Sequence, residues 1–183
     1  MRRWGQLLSF ILVSGLFILM AIWLLNSFDP HSVWLAFLWN WLALSYLAVL
    51  GQFILIVFPD GYYALRRFER NGALYTTLGI RLFQKVVRLG PLALSSPGLR
   101  FISRSDLVRR LDLETRKVEA AHALAFMLVT LSAGVFWVRG MAPAAAWMML
   151  FNLPLNVYPI MLQRYNRARL VRSAAKLSEL SSL

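Results

Sequence analysis

The chain has 183 residues, 59% of them hydrophobic, no cysteine, and a formal net charge of +12 at pH 7. That is too apolar for a water-soluble domain of this length and points to a membrane protein. The lack of cysteine excludes a disulfide framework, a thiolate nucleophile and a Cys-bound metal.

Four windows carry almost no charge. Trp4–Phe28, Ser32–Pro59 and Gly140–Gln163 have no charged residue, and Ala120–Val138 has only His122. About 20 apolar residues cross the hydrocarbon of a bilayer. The windows predict transmembrane helices near 6–25, 33–57, 119–138 and 142–162, in a single all-α integral membrane domain over 1–183. Arg2 and Arg3 precede the first helix, as they would a secretory signal. Its apolar core is too long for one, however, and Asn26-Ser27-Phe28-Asp29-Pro30 is no small-residue cleavage site, so a retained anchor is expected. His31 reads as an ordinary loop residue.

Phe58-Pro59-Asp60-Gly61 should end the second helix. The segment 60–118 then reads as cytoplasmic and helical. On a helical wheel over Leu74–Leu89, Tyr75, Leu78, Leu82, Phe83, Val86, Val87 and Leu89 share one arc. Thr77, Arg81, Gln84, Lys85 and Arg88 share the opposite one, with Ile80 at the boundary. A basic amphipathic helix of this kind lies in the headgroup plane. Gly90-Pro91 should close it, and Ser95-Ser96-Pro97-Gly98 reads as a turn. Ser103-Arg104-Ser105-Asp106 offers an N-cap for a helix from Leu107. No glycine or proline interrupts Leu99–Ala133, so that helix can run on into the third span. Arg139, Gly140 and Pro143 mark a tight turn before the fourth.

Lys and Arg are distributed unequally. Twelve lie between the second and third spans, two before the first, five after the fourth, and one, Arg139, between the third and fourth. By the positive-inside rule the long segment and both termini are cytoplasmic. Topology thus explains the basic balance, and no nucleic-acid partner is expected. The location expected is the bacterial cytoplasmic (inner) membrane, multi-pass. No Gly-rich phosphate loop, zinc pattern or Ser-centred elbow is present.

The chemistry-bearing stretch is Glu114-Thr115-Arg116-Lys117-Val118-Glu119-Ala120-Ala121-His122. Ionisable residues at membrane depth cost roughly 2.5–3.5 kcal/mol each on insertion scales. At about 100° per residue, Thr115, Glu119 and His122 share a helix face, and Glu119 and His122 are i, i+3 neighbours. Glu114 sits about 100° round from Thr115. A carboxylate beside an imidazole suits a general base. The plainer alternative is an interfacial cap in which Glu119 satisfies Arg116 or Lys117. A second cluster, Gln163-Arg164-Tyr165-Asn166-Arg167-Ala168-Arg169-Leu170, follows the fourth span. Its arginines alone would read as a stop signal; Gln163, Tyr165 and Asn166 are more than topology requires. Upstream, Asn152, Pro154, Asn156 and Pro159 put polar groups and freed carbonyls inside an apolar window.

Together, Glu-Thr-x-x-x-Glu-x-x-His and the later Asn156-Val157…Gln163-Arg164-Tyr165-Asn166-Arg167-x-Arg169-Leu170 resemble the glycosyl-4,4′-diaponeurosporenoate acyltransferase family. Those are small integral membrane enzymes named for the last step of staphyloxanthin synthesis, acylation of a sugar hydroxyl on a carotenoid glycoside. The resemblance runs from about Phe68 to Leu170 and includes Arg67-Phe68-Glu69-Arg70-Asn71-Gly72 and Leu89-Gly90-Pro91. It is weak over the first two spans. Ala123 stands where the family commonly has an aromatic residue, and Pro159 is displaced by one. The resemblance implies fatty acyl transfer to a hydroxyl of a glycolipid or glycosylated carotenoid. His122 is then the expected base, with Glu119 or Glu114 as its partner. Arg164 and Arg167 would bind donor phosphates or the acceptor headgroup. Asn156 and Asn166 are candidate oxyanion or substrate groups, and Thr115, Gln163 and Tyr165 candidate substrate contacts. No bound cofactor and no metal are expected; acyl-CoA or acyl carrier protein is the expected donor, arriving from the cytosol. Expected partners are membrane lipids and a lipid-soluble glycosylated acceptor, with the oligomeric state open. Two other readings stand beside it. One is a non-catalytic membrane subunit or scaffold of a lipid or carotenoid biosynthetic complex, and the other a small transporter or lipid-binding protein.

Overall fold

The computed structural model of the chain describes residues 2–89 and 104–181, with side chains described over 4–87 and 108–173. Every regular element among them is helical: α1 (Arg2–Ser27), α2 (Val33–Phe53), α3 (Asp60–Tyr63), α4 (Ala73–Thr77), α5 (Ile80–Leu89), α6 (Arg104–Val138), α7 (Ala142–Asn152), a π-helical turn (Leu153–Val157) and α8 (Tyr158–Ser181). Four stretches are long and apolar enough to cross a membrane: Trp4–Ser27, Val33–Phe53, Val108–Val138 and Ala142–Ser173. These are the four spans the charge-free windows predict.

The boundaries differ in places, each for a local reason. α2 stops at Phe53, four residues short of the expected end. Ile54 is extended (φ −127°, ψ 130°) and its N–H closes the helix onto the Leu50 carbonyl. Ile54, Ile56 and Val57 are β-branched, and Pro59 disfavours helical geometry at Phe58. The single amphipathic helix expected over Leu74–Leu89 is two helices. Gly79 sits between them at φ 78°, a left-handed conformation no helix continues through. Ile80, placed at the wheel's boundary, is fully buried, while Leu78, Leu82 and Val86 are exposed. The expected closure at Gly90-Pro91, the turn at 95–98 and Ser103 lie outside the described residues, and the other residues of the expected N-cap, 104–106, are already helical in α6, which starts three residues before the expected Leu107. The third-to-fourth turn is a Schellman cap: Gly140 (φ 81°) donates to Trp137 and Met141 to Phe136. Pro143 then starts α7.

The chain divides into two compact units, Met1–Val57 with Ala120–Pro159, and Phe58–Glu119 with Ile160–Leu183. The first is the apolar one. Its core pairs small residues (Ala36, Ala43, Ala133, Ala144, Ala145) with Leu35, Val129 and Met148. Small residues let helix backbones approach closely where lipid removes the usual hydrophobic driving force. Polar side chains tie the same helices: Ser14 Oγ lies 3.0 Å from Tyr46 Oη, and Asn40 Nδ2 donates to Met148 O at 3.1 Å. Outward Leu8, Ile11, Leu12 and Leu19 are exposed, as a lipid-facing helix requires. The second unit holds the charged residues described next.

Candidate functional site

Within the first unit, the π-helical turn interrupts what would otherwise be one helix from Ala142 onward. Pro154 and Pro159 cause the local rearrangement. Neither has an N–H, so the carbonyls of Leu150 and Leu155 lose their α-helical donors. Tyr158 instead donates one residue further back, to Leu153. Single π turns of this kind recur at functional sites. Here the turn carries Asn156, wholly buried, one helical turn past the equally buried Asn152.

A line of side chains runs through this spot. His122 Nδ1 lies 3.3 Å from Asn156 Oδ1. Asn156 Nδ2 donates to Asn152 Oδ1 at 2.7 Å. Asn152 Nδ2 donates to the Phe126 carbonyl at 3.2 Å and to Thr130 Oγ1 at 3.3 Å. Thr130 gives its own hydroxyl hydrogen to the same carbonyl at 2.7 Å. The Leu155 carbonyl freed by Pro159 is a further partner of the imidazole. Of the expected site residues, His122 and Asn156 are therefore brought together.

The second unit contains an ion network. Glu119 is fully buried, with Oε1 3.0 Å from Arg164 Nη1 and Oε2 2.7 Å from Arg167 Nη2. Arg164 also forks onto Glu69, Nε to Oε1 at 2.7 Å and Nη2 to Oε2 at 2.9 Å. Its remaining two N–H groups reach the carbonyls of Tyr62 and Ala64, at 3.2 and 3.4 Å. A guanidinium has five donors, and all five have acceptors here. A phosphate could reach Arg164 only by displacing one of these acceptors, the weakest of which are the Tyr62 and Ala64 carbonyls.

Arg167 is 4% exposed and reaches Thr115 Oγ1 (3.5 Å), Tyr63 O (3.3 Å) and Asp112 (3.4 Å) besides Glu119. Both Arg167 and Arg116 lie over the Tyr63 ring, at 5.0 and 5.1 Å from its centroid. Arg116 is held by Asp112 at 2.7 Å and by Asp60. The Tyr63 hydroxyl accepts from the Phe58 amide at 2.8 Å and donates to the Arg116 carbonyl at 3.3 Å.

Glu69, absent from the expected site, is the counterweight to Glu119. Four donors converge on its carboxylate: Arg164 twice, the Tyr75 hydroxyl, and the Arg66 amide at 2.7 Å. Burial pushes its pKa up, but the bonds from Arg164, Tyr75 and Arg66 outweigh it and bring it down to about 2. Burial and the same Glu69 bond push the Tyr75 hydroxyl far above its ordinary range. Burial also raises Tyr62 and Tyr63.

The other expected residues fall as follows. Glu114 pairs with Lys117 at 2.7 Å in solvent. Thr115 gives its hydroxyl to Asp112 O at 2.7 Å. Tyr165 is buried edge-on to Tyr75, 6.4 Å between centroids, and packs under Gly72. Gln163 and Asn166 are half-buried. A pocket of about 410 Å³ opens beside Arg164 and Glu69, bordered by Tyr62, Arg66 and Phe68. Phe68 is exposed, and Arg66 extends from the surface. Among the described residues there is no group of three His, Asp or Glu side chains that could hold a metal.

No curated protein and no solved structure matches the chain. A family model does, the one described as glycosyl-4,4′-diaponeurosporenoate acyltransferase, over residues 59–176. That interval holds the ion network, the π-helical turn and His122, and it covers more than half of the sequence. The chain belongs to the glycosyl-4,4′-diaponeurosporenoate acyltransferase family.

Proposed function

We propose that the protein is a membrane acyltransferase that moves a fatty acyl group from a thioester onto a sugar hydroxyl of a glycosylated carotenoid or related glycolipid. The observation that carries the chemistry is the hydrogen-bonded imidazole of His122, within a helix long and apolar enough to cross a membrane and beside a π-helical turn. In the reaction, the acceptor hydroxyl oxygen attacks the thioester carbonyl while its proton passes to His122. The new ester C–O bond forms, the C–S bond breaks, and the departing thiolate takes the proton back. Positioned base catalysis of this kind supplies about 10²–10⁴-fold.

Acyl-CoA or acyl carrier protein is the donor, reached from the cytoplasmic side of the inner membrane, where both termini lie. Asn156 is held against His122, which leaves Asn166 as the amide for oxyanion or substrate contact. The aromatic and guanidinium groups of Tyr62, Phe68 and Arg66 suit the pocket to a polar headgroup. Arg164, Arg167 and Glu119 shape that region through their mutual bonds, with Thr115, Gln163 and Tyr165 packed about them. The saturation of Arg164 also favours a second reading, a scaffold subunit whose motif is structural.

The test is to express the wild type and His122→Ala in matched membranes of a host that makes glycosylated carotenoids. Lipids and pigments are then profiled by mass spectrometry. A glycoside that gains one acyl mass only with the wild type is the expected result. Full transfer by a well-expressed His122→Ala chain would sink the base assignment. No transfer by either chain, with the acceptor present, would favour the scaffold.

A further inference from the structure

The hydrogen-bond line at His122 has a direction, and the backbone sets it. A main-chain carbonyl can only accept, so the group that Asn152 turns to Phe126 O, 3.2 Å away, is its NH2. Thr130 has already given its hydroxyl hydrogen to that carbonyl, so its oxygen also accepts from Asn152. Asn152 therefore presents Oδ1 to Asn156 and takes an Nδ2 hydrogen at 2.7 Å. Asn156 in turn presents Oδ1 to His122 Nδ1. An amide oxygen can only accept, so Nδ1 carries the hydrogen. A neutral imidazole has one N–H, which leaves the lone pair on Nε2.

We propose that Asn152 and Asn156 are positioning residues that hold His122 in the Nδ1–H tautomer and so make Nε2 its basic atom. The inference rests on the reading of His122 as the base. Both asparagines are fully buried, so water does not compensate a reversed amide. Turning either one would set oxygen against oxygen or NH2 against N–H, a costly arrangement in a low-dielectric interior.

The test is nitrogen-15 NMR of the full chain in bilayer nanodiscs with labelled histidine. The chain has two histidines, and the exposed His31 serves as the internal reference. The expected wild-type result is a protonated Nδ1 and an unprotonated Nε2 at His122. Asn152→Leu and Asn156→Leu are each expected to remove that preference, and the milder Thr130→Val to weaken it. An Nε2–H ring in the wild type overturns the proposal, as does an unaltered Nδ1–H preference in both leucine variants. Should those variants fail to fold, the wild-type tautomer alone decides. In the transfer assay, Asn156→Leu should lower kcat about 10²-fold with the donor KM little changed. An Nδ1–H ring in a wild-type chain that transfers no acyl group supports the tautomer relay and overturns the base reading instead.

Discussion

Replacing Glu119 by glutamine changes one oxygen for an NH2 and removes one charge. Glu119 has no exposed surface and meets two guanidinium groups, at 3.0 and 2.7 Å. The glutamine oxygen can serve one arginine, while its NH2 faces the other donor to donor. Arg164 keeps its fork on Glu69. Arg167 keeps only the more distant Asp112, at 3.4 Å, as an anion, and it is 4% exposed. Breaking a buried pair by removing one partner costs about 3–5 kcal/mol. For a chain of this size each kcal/mol moves Tm by about 2–4 °C, so Glu119→Gln should unfold about 6–20 °C below the wild type. The assay is thermal unfolding in detergent micelles followed by tryptophan fluorescence. Glu114→Gln is the control: its pair with Lys117 is solvent-exposed, and such pairs are worth about 0–1 kcal/mol. Adding Arg167→Gln to Glu119→Gln removes the stranded cation and should recover part of the loss, a coupling of about 1–3 kcal/mol. A Glu119→Gln chain as stable as Glu114→Gln would refute the reasoning, because it would mean that Glu119 is not a buried, paired anion.

Three further outcomes follow from neighbouring features. Gly72 has φ 71°, and a Cβ there would meet the Tyr165 ring at 3.2 Å, so Gly72→Ala should lose about 1–2 kcal/mol from the backbone alone; equal unfolding midpoints in denaturant would contradict this. Because the Glu69 pKa falls from 4.5 to about 2 on folding, its contribution is present above about pH 4.5 and disappears as pH falls toward 2. Acid unfolding should therefore lose part of its pH dependence in that window in Glu69→Gln, and an unchanged acid profile would argue against the fork with Arg164. Asn40→Leu removes the bond to Met148 O and should destabilise by about 0.6–1.7 kcal/mol, the range for interhelical bonds in membranes, as read by unfolding of the reconstituted chain.

The spans were legible because charge-free windows of span length have few other uses. The break at Pro154 and Pro159 was legible as well, since a missing N–H is a property of the residue itself. Hydropathy places the end of α2 too late because it does not distinguish a helix from the apolar but non-helical Ile54–Phe58 run that follows it. The wheel over Leu74–Leu89 failed at Gly79, because a wheel assumes helical φ at every position. Spacing brought Glu119 to the face of His122, but helical periodicity says nothing about partners from other elements. Glu119 has two arginines, and the imidazole has an amide from the π-helical turn. Glu69 stands in the sequence within the Arg67–Gly72 stretch that carries part of the family resemblance. Its signal was scarcity: the chain has eight acids against 20 cations, so an acid within a basic segment is a scarce partner for an arginine.

The ion network also has a bearing on biosynthesis. Arg164 and Arg167 follow Glu119 by 45 and 48 residues, and Arg164 follows Glu69 by 95. At translation rates of about 5–20 residues per second, the nascent chain carries Glu119 without either arginine for roughly 2–10 s, and Glu69 for about twice as long. Three spans have then been synthesised while the buried acids Glu69 and Glu119 still lack these arginines. The emergence of α8 is the step that neutralises both. A ribosome stalled before Arg164 would hold a chain with its first three membrane segments made and its polar half unassembled, a natural substrate for membrane quality control.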